Sequence, residues 1–227
     1  MAAIGGGIIG AALTAGTLLL AGPSLFGERL VRDALTAQPE ILVDAGQALR
    51  DKQYAKTLEP IRASIERPFY SSWKGAEKPD VTMTYFFDYA CGYCRQSNPD
   101  IERLLKEDKG LRVVYRELPI LGPDSVAAAR VSLAASKAGK FTQFHDTLYA
   151  AGRPGPDTVA AAAKAAGIPA EPANDPAQEA ELRSNMTLAS QLGATGTPLF
   201  IVGDRVLNAA VGYEALKEAV EAARAKG

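Results

Sequence analysis

The stretch VTMTYFFDYACGYC, residues 81–94, decides the fold. Its first seven residues, Val81 to Phe87, are β-branched and aromatic, the composition of a buried strand. Cys91 and Cys94 close the stretch, and beyond them Ile101, Leu104 and Leu105 fall on one face of a helix. A second apolar run, LRVVYREL at residues 111–118, predicts another strand. Strand, helix and strand in that order make a βαβ unit, whose crossover is right-handed onto a parallel pair.

Toward the carboxyl terminus, residues 124–192 carry no strand signal and are rich in alanine, with breaks at Gly139, Gly152–Pro156 and Gly167–Pro172. They predict four helices, capped at the first by Asp124 and Ser125 and at the last by Asp175. Strand character returns at Leu199–Val202, turns at Gly203-Asp204 and resumes at Val206–Ala210, a hairpin. A final helix follows Gly212, with Leu216 and Val220 inward. The whole reads as an α/β chain: β-α-β, a helical insertion, then β-β-α.

Toward the amino terminus, residues 68–80 (PFYSSWKGAEKPD) read as a linker or turn. Residues 28–66 read as amphipathic helix divided at Pro39, an arm that packs on the domain, spaces it or pairs with another copy. Residues 1–27 carry no charged side chain, and residues 1–22 reach the length of a membrane-spanning helix. They are read as a retained anchor, as a cleaved signal lacking its usual opening Lys or Arg, or as a start-site artefact. The expected organisation is an anchor or signal at 1–22, a helical arm and linker at 23–78, a βαβ half at 79–122, the insertion at 123–192 and a ββα half at 193–227.

Composition narrows the chemistry. The 227 residues carry 25 Lys+Arg against 26 Asp+Glu, so no basic excess exists to neutralise a nucleic-acid backbone, and no nucleic-acid partner is expected. One histidine and two cysteines exclude, within one chain, a zinc site of four cysteines or of two cysteines and two histidines, and a disulfide-rich scaffold. A disulfide between Cys91 and Cys94 closes so small a loop that it removes little unfolded-chain entropy, a poor staple. A metal site needs more ligands, with His145 the one histidine available, and that residue sits among apolar neighbours (FTQFHDTLY) as a packing histidine does. A reversible dithiol/disulfide couple is the leading reading, with metal binding and an inert pair as the alternatives. A helix N-terminus offers free N–H groups and a positive dipole end, which favour thiolate at Cys91. Cys94, one turn deeper, is then the resolving thiol.

DYACGYC after an apolar strand, followed about a hundred residues later by GATGTPLFIVGD, resembles the thioredoxin-fold DsbA-like family of bacterial envelope thiol oxidoreductases. The resemblance covers residues 79–227. ELPILGPDSVAAARVSLAA and KFTQFHDTLY are similar to the ScsC-type subgroup, whose members carry a helical N-terminal arm that in some mediates oligomerisation. The resemblance implies a thioredoxin fold (βαβ…ββα) with an inserted helical domain. It makes Cys91 the exposed nucleophile and Cys94 its partner, with Gly92 and Tyr93 tuning the couple. Pro198, after Thr197, becomes a cis-proline facing the cysteines and offering backbone to an extended substrate. Pro99 is a helix proline with a kinking role.

Two departures bear on direction. No histidine lies between the cysteines, and the buried acid expected six residues before the first cysteine is Tyr85. Asp88 or Glu117 is then a candidate proton shuttle, against a capping or solvated role, and Tyr89 is expected to line the groove or else to pack. The reading is a thiol:disulfide oxidoreductase leaning to isomerase or reductase over strong oxidase, driven by redox poise with no bound cofactor or metal. Implied partners are cysteine-containing envelope proteins and a membrane or periplasmic redox partner. Homo-oligomerisation through residues 28–66 and a location on the periplasmic side, anchored or secreted, belong to the same reading. The alternative is a membrane-tethered chaperone or copper-handling module using the same thiolates.

Overall fold

The computed structural model describes residues 27–171 and 174–226, so the expected anchor or signal at 1–22 lies outside the described residues. Among the described residues no helix is long and apolar enough to cross a membrane. The chain divides into two units, Met1–Arg50 and Asp51–Gly227. The first contains α1 (residues 27–37) and the beginning of α2 (Glu40–Leu58), separated at Gln38 and Pro39. Leu30, Val31, Leu42, Val43 and Leu49 are exposed.

In the second unit, the apolar run 81–87 is β2 (Val81–Phe87) and forms the middle of a five-stranded sheet. The strand order is β1 (Trp73–Gly75), β3 (Leu111–Glu117), β2, β4 (Leu199–Val202) and β5 (Arg205–Leu207). β2 and β3 are parallel, with Tyr85 opposite Tyr115 and Phe87 opposite Glu117; the other pairings are antiparallel. The predicted βαβ crossover is α4 (Gly92–Glu107), with Pro99 inside it.

Side chains alternate across the sheet because successive Cβ atoms point to opposite faces. Met83, Tyr85, Phe87, Val113 and Tyr115 face one core with Ile101 and Leu104 of α4 and Leu216 and Val220 of α9 (Gly212–Arg224). Phe86, Leu199 and Ile201 face the other core with Leu58, Ile65, Leu188 and Leu192. The four insertion helices are α5 (Pro123–Lys137), α6 (Phe141–Ala151), α7 (Pro156–Ala166) and α8 (Pro176–Gln191). α6 joins the first core through Phe141, Phe144, Leu148 and Tyr149.

The structure differs from expectation at three boundaries. Residues 73–75, placed in the linker, add the edge strand β1, and α3 (Arg62–Glu66) buries Ile65 under the sheet. The edge depends on Gly75, whose φ is +101° and where a Cβ would sit 2.3 Å from the Leu111 carbonyl oxygen. α5 is not capped by Asp124 or Ser125: Gly122 occupies the N-cap and Pro123 the first turn, the position where a missing N–H costs nothing. The last strand ends at Leu207, short of Ala210. Asp175 does cap α8, accepting the Ala177 N–H at 2.9 Å.

Candidate active site

Cys91 is the N-cap of α4. Its Sγ accepts the Cys94 N–H at 3.3 Å, in the way an N-cap side chain satisfies a first-turn donor. The peptide between Thr197 and Pro198 is cis, and the Cys91 thiol donates to the Thr197 carbonyl at 3.2 Å. The sequence motifs about a hundred residues apart therefore meet at one sulfur. Both cysteines are free thiols.

The two sulfurs have opposite acidities. The Cys91 pKa is lowered to about 6, first by hydrogen bonding from the Cys94 thiol and then by the Thr197 side chain and the N–H groups of Cys94 and Tyr93, against an opposing effect of burial. Burial pushes Cys94 up, and the neighbouring Cys91 adds to that. Cys91 is recessed rather than openly exposed: the residue is 6% exposed, with the Thr197 carbonyl against its sulfur, while Cys94 is fully buried. Gly92 is exposed, and Tyr93 is 65% exposed, so the dipeptide between the cysteines forms the rim of the site.

Asp88 organises the loop into α4. Its carboxylate accepts the N–H groups of Ala90 at 2.8 Å, Ile120 at 2.8 Å and Leu121 at 2.9 Å. Its carbonyl accepts the Cys91 N–H and the Tyr149 hydroxyl, each at 3.0 Å. Its oxygens are thus occupied as a loop clamp, the capping role.

Glu117 is different. It is 2% exposed, and neither carboxylate oxygen has a hydrogen-bond partner. Burial raises its pKa well above the usual carboxylate range and the Asp88 carboxylate adds to the effect, while Ser132 opposes it. The register with Phe87 puts Glu117 at the sheet end where β2 leads into the cysteine loop.

Tyr89 does not line a groove. It is 1% exposed; its hydroxyl pairs with Ser132 at 2.8 Å and approaches His145 Nδ1 at 3.3 Å, and its ring packs on Phe87 and Tyr149. The aromatic chain turns inward there because α5 and α6 supply both apolar and polar partners. His145 is the buried packing histidine expected, enclosed by the rings of Phe87, Tyr89, Tyr115, Phe141 and Tyr149. Tyr85 donates to the Cys94 carbonyl at 3.2 Å, so a neutral phenol stands where the resemblance places an acid.

Several neighbours of the site were not read from the sequence. Ile120 and Leu121 are exposed apolar residues tied to the cysteine loop through Asp88; their signal was an apolar pair outside any periodic pattern. Arg95 and Tyr149 touch the loop through contacts that join α4 to α6, which no local pattern reports.

A dithiol at a helix N-terminus, set against a cis-proline at the start of the next strand of the sheet, is the arrangement of a thioredoxin-like domain. The DSBA-like thioredoxin domain matches residues 82–221, and the chain belongs to that family. The N-terminal domain of copper resistance protein ScsC matches residues 28–56. Among solved structures, a thioredoxin-like oxidoreductase from Silicibacter pomeroyi DSS-3 is 36% identical, covering 72% of this chain and 98% of that one, with a TM-score of 0.66. A periplasmic thioredoxin-like protein from Salmonella enterica serovar Typhimurium is 30% identical over 73% of this chain and 96% of its own, with a TM-score of 0.67. Proteus mirabilis ScsC in a transitional conformation is 28% identical over 88% and 94%, with a TM-score of 0.70. A curated relative, the Na(+)/H(+) antiporter NhaA 1 of Salinispora arenicola, is 29% identical over 159 residues, 66% of this chain. The chain spans about a quarter of the length of that relative, 24%.

Proposed function

We propose that the chain is a thiol:disulfide oxidoreductase acting on cysteines of envelope proteins through Cys91 and Cys94. The observation that carries the reading is the asymmetry of the pair: an acidic, recessed Cys91 against the Thr197–Pro198 backbone and a buried, weakly acidic Cys94 behind it. The Cys91 thiolate attacks a substrate disulfide, forming a mixed disulfide and releasing one substrate thiolate. Cys94 then loses its proton and attacks the Cys91 sulfur, releasing the second substrate thiolate and leaving Cys91–Cys94 oxidised by two electrons. The reverse sequence oxidises a client dithiol. In isomerisation a substrate thiolate, not Cys94, resolves the intermediate. Thr197 and Pro198 present backbone to the client strand, and Gly92 and Tyr93 tune access to the sulfur.

Of the two candidate acids, Glu117 is the one we assign the proton shuttle: its carboxyl is buried with no hydrogen-bond partner, whereas the Asp88 carboxylate accepts three N–H groups and clamps the loop. The periplasmic relative supports an envelope location, and the match to the ScsC N-terminal domain together with exposed Leu42 and Leu49 supports assembly through residues 28–66.

The lean is toward isomerase or reductase. A Cys91 pKa of about 6 is less depressed than the value of about 3.5 of the strong oxidant DsbA, so the reduced form is stabilised less. Equilibration with glutathione tests this. A potential well below the roughly −120 mV of DsbA is expected, and a value at or above it would overturn the lean.

A further inference from the structure

The inserted helix α6 touches the redox loop at both ends through its last turn. On the entry side, the Tyr149 hydroxyl donates to the Asp88 carbonyl at 3.0 Å, the same oxygen that accepts the Cys91 N–H. On the exit side Arg95, next to Cys94, donates from Nη1 to the Tyr149 carbonyl and from Nη2 to the Gly152 carbonyl at 2.5 Å. Its guanidinium lies 5.5 Å from the centre of the Tyr149 ring. The last carbonyls of a helix lack intrahelical partners and sit at its negative dipole end, so a guanidinium fork is well matched to them. The Tyr149 hydroxyl contact is buried and so shielded from competing water, while the two Arg95 contacts are half-buried. One residue of the insertion thus joins the segment before Cys91 to the residue after Cys94.

We propose that Tyr149 and Arg95 are positioning residues through which the inserted helix holds the cysteine loop in the geometry that favours the Cys91 thiolate. Resting on the exchange reading above, this assigns the insertion a part in setting the redox couple. With the Tyr149 hydroxyl gone, the Asp88 carbonyl keeps one donor of its two, and the loop relaxes away from the arrangement that aims the Tyr93 and Cys94 N–H groups at the Cys91 sulfur.

The test uses the full chain with Tyr149→Phe, Arg95→Lys and, as a control, Phe141→Leu, which loosens α6 in the same core where its ring meets Tyr115 and His145 rather than the loop. Thiolate absorbance near 240 nm is followed against pH, and the dithiol is equilibrated with glutathione. Tyr149→Phe is expected to raise the Cys91 pKa by about one unit and shift the glutathione equilibrium about tenfold toward the disulfide. Arg95→Lys, which keeps the charge and loses the fork, moves both in the same direction by less, and Phe141→Leu moves neither. Wild-type values in Tyr149→Phe, or an equal shift in Phe141→Leu, would overturn the proposal. A wild-type pair that forms no reversible disulfide with glutathione would instead reject the exchange reading, while the pH titration would still test the brace.

Discussion

At the scale of single residues, Cys91 is set apart by its acidity. An acid whose folded pKa is depressed stabilises its state above its ordinary pKa, and that advantage is lost as pH falls through the depressed value. Here the state is the reduced form, and the window opens downward from the ordinary thiol range to a pH of about 6. Above that pH reduction of the disulfide takes up one proton per two electrons, and below it two. The reduction potential is therefore expected to change by about 30 mV per pH unit above pH 6 and about 59 mV below it, measured by glutathione equilibration across pH. A single slope through the range would place the pKa elsewhere. Glu117→Gln, which removes the buried exchangeable proton, is expected to slow resolution of a mixed disulfide by on the order of a hundredfold while leaving the Cys91 titration unmoved. Unchanged resolution would remove Glu117 from the proton path. The cysteines were legible from their spacing at the start of a helix, and Pro198 only through the resemblance, since alone it reads as a proline opening a strand. The choice between Asp88 and Glu117 was not, since it turns on which carboxylate finds N–H partners across the fold.

At the scale of elements, the β2–α4 junction does the positioning, and Asp88 is its clamp. Asp88→Ala strips the acceptor from three N–H groups, two of them in the segment following β3. A loss of about 2–4 kcal/mol in chemical denaturation is expected, together with a rise in the Cys91 pKa. Stability and acidity unchanged from wild type would show the clamp to be dispensable. The elements themselves were well read where periodicity is strong: the buried strand 81–87, the crossover helix and the four alanine-rich helices each stand close to where pattern placed them. The edge strand at Trp73–Gly75 escaped because three residues show no period, and its pairing is decided by β3 rather than by its own sequence. For a related reason the sequence left Tyr89 open between lining the groove and packing: its neighbours Ser132 and His145 lie more than forty residues away in the chain.

At the scale of the whole molecule, two features extend beyond the thioredoxin core. The insertion closes over one sheet face with the ring cluster around His145, and burial holds that imidazole well below its usual pKa. The arm instead displays apolar residues to solvent. If it assembles copies of the chain, the double substitution Leu42→Lys and Leu49→Lys lowers the mass measured by light scattering, and an unchanged mass would remove the arm from assembly. The central claim is that Cys91 exchanges disulfides with client chains and Cys94 resolves them. Its most direct measurement is trapping: the full chain with Cys94→Ala is incubated with a disulfide-bonded client, quenched with acid and alkylating agent, and run on non-reducing gels. The expected result is a client adduct that disappears on reduction and is missing from the Cys91→Ala chain. No adduct in Cys94→Ala, or an equal one in Cys91→Ala, would contradict the account.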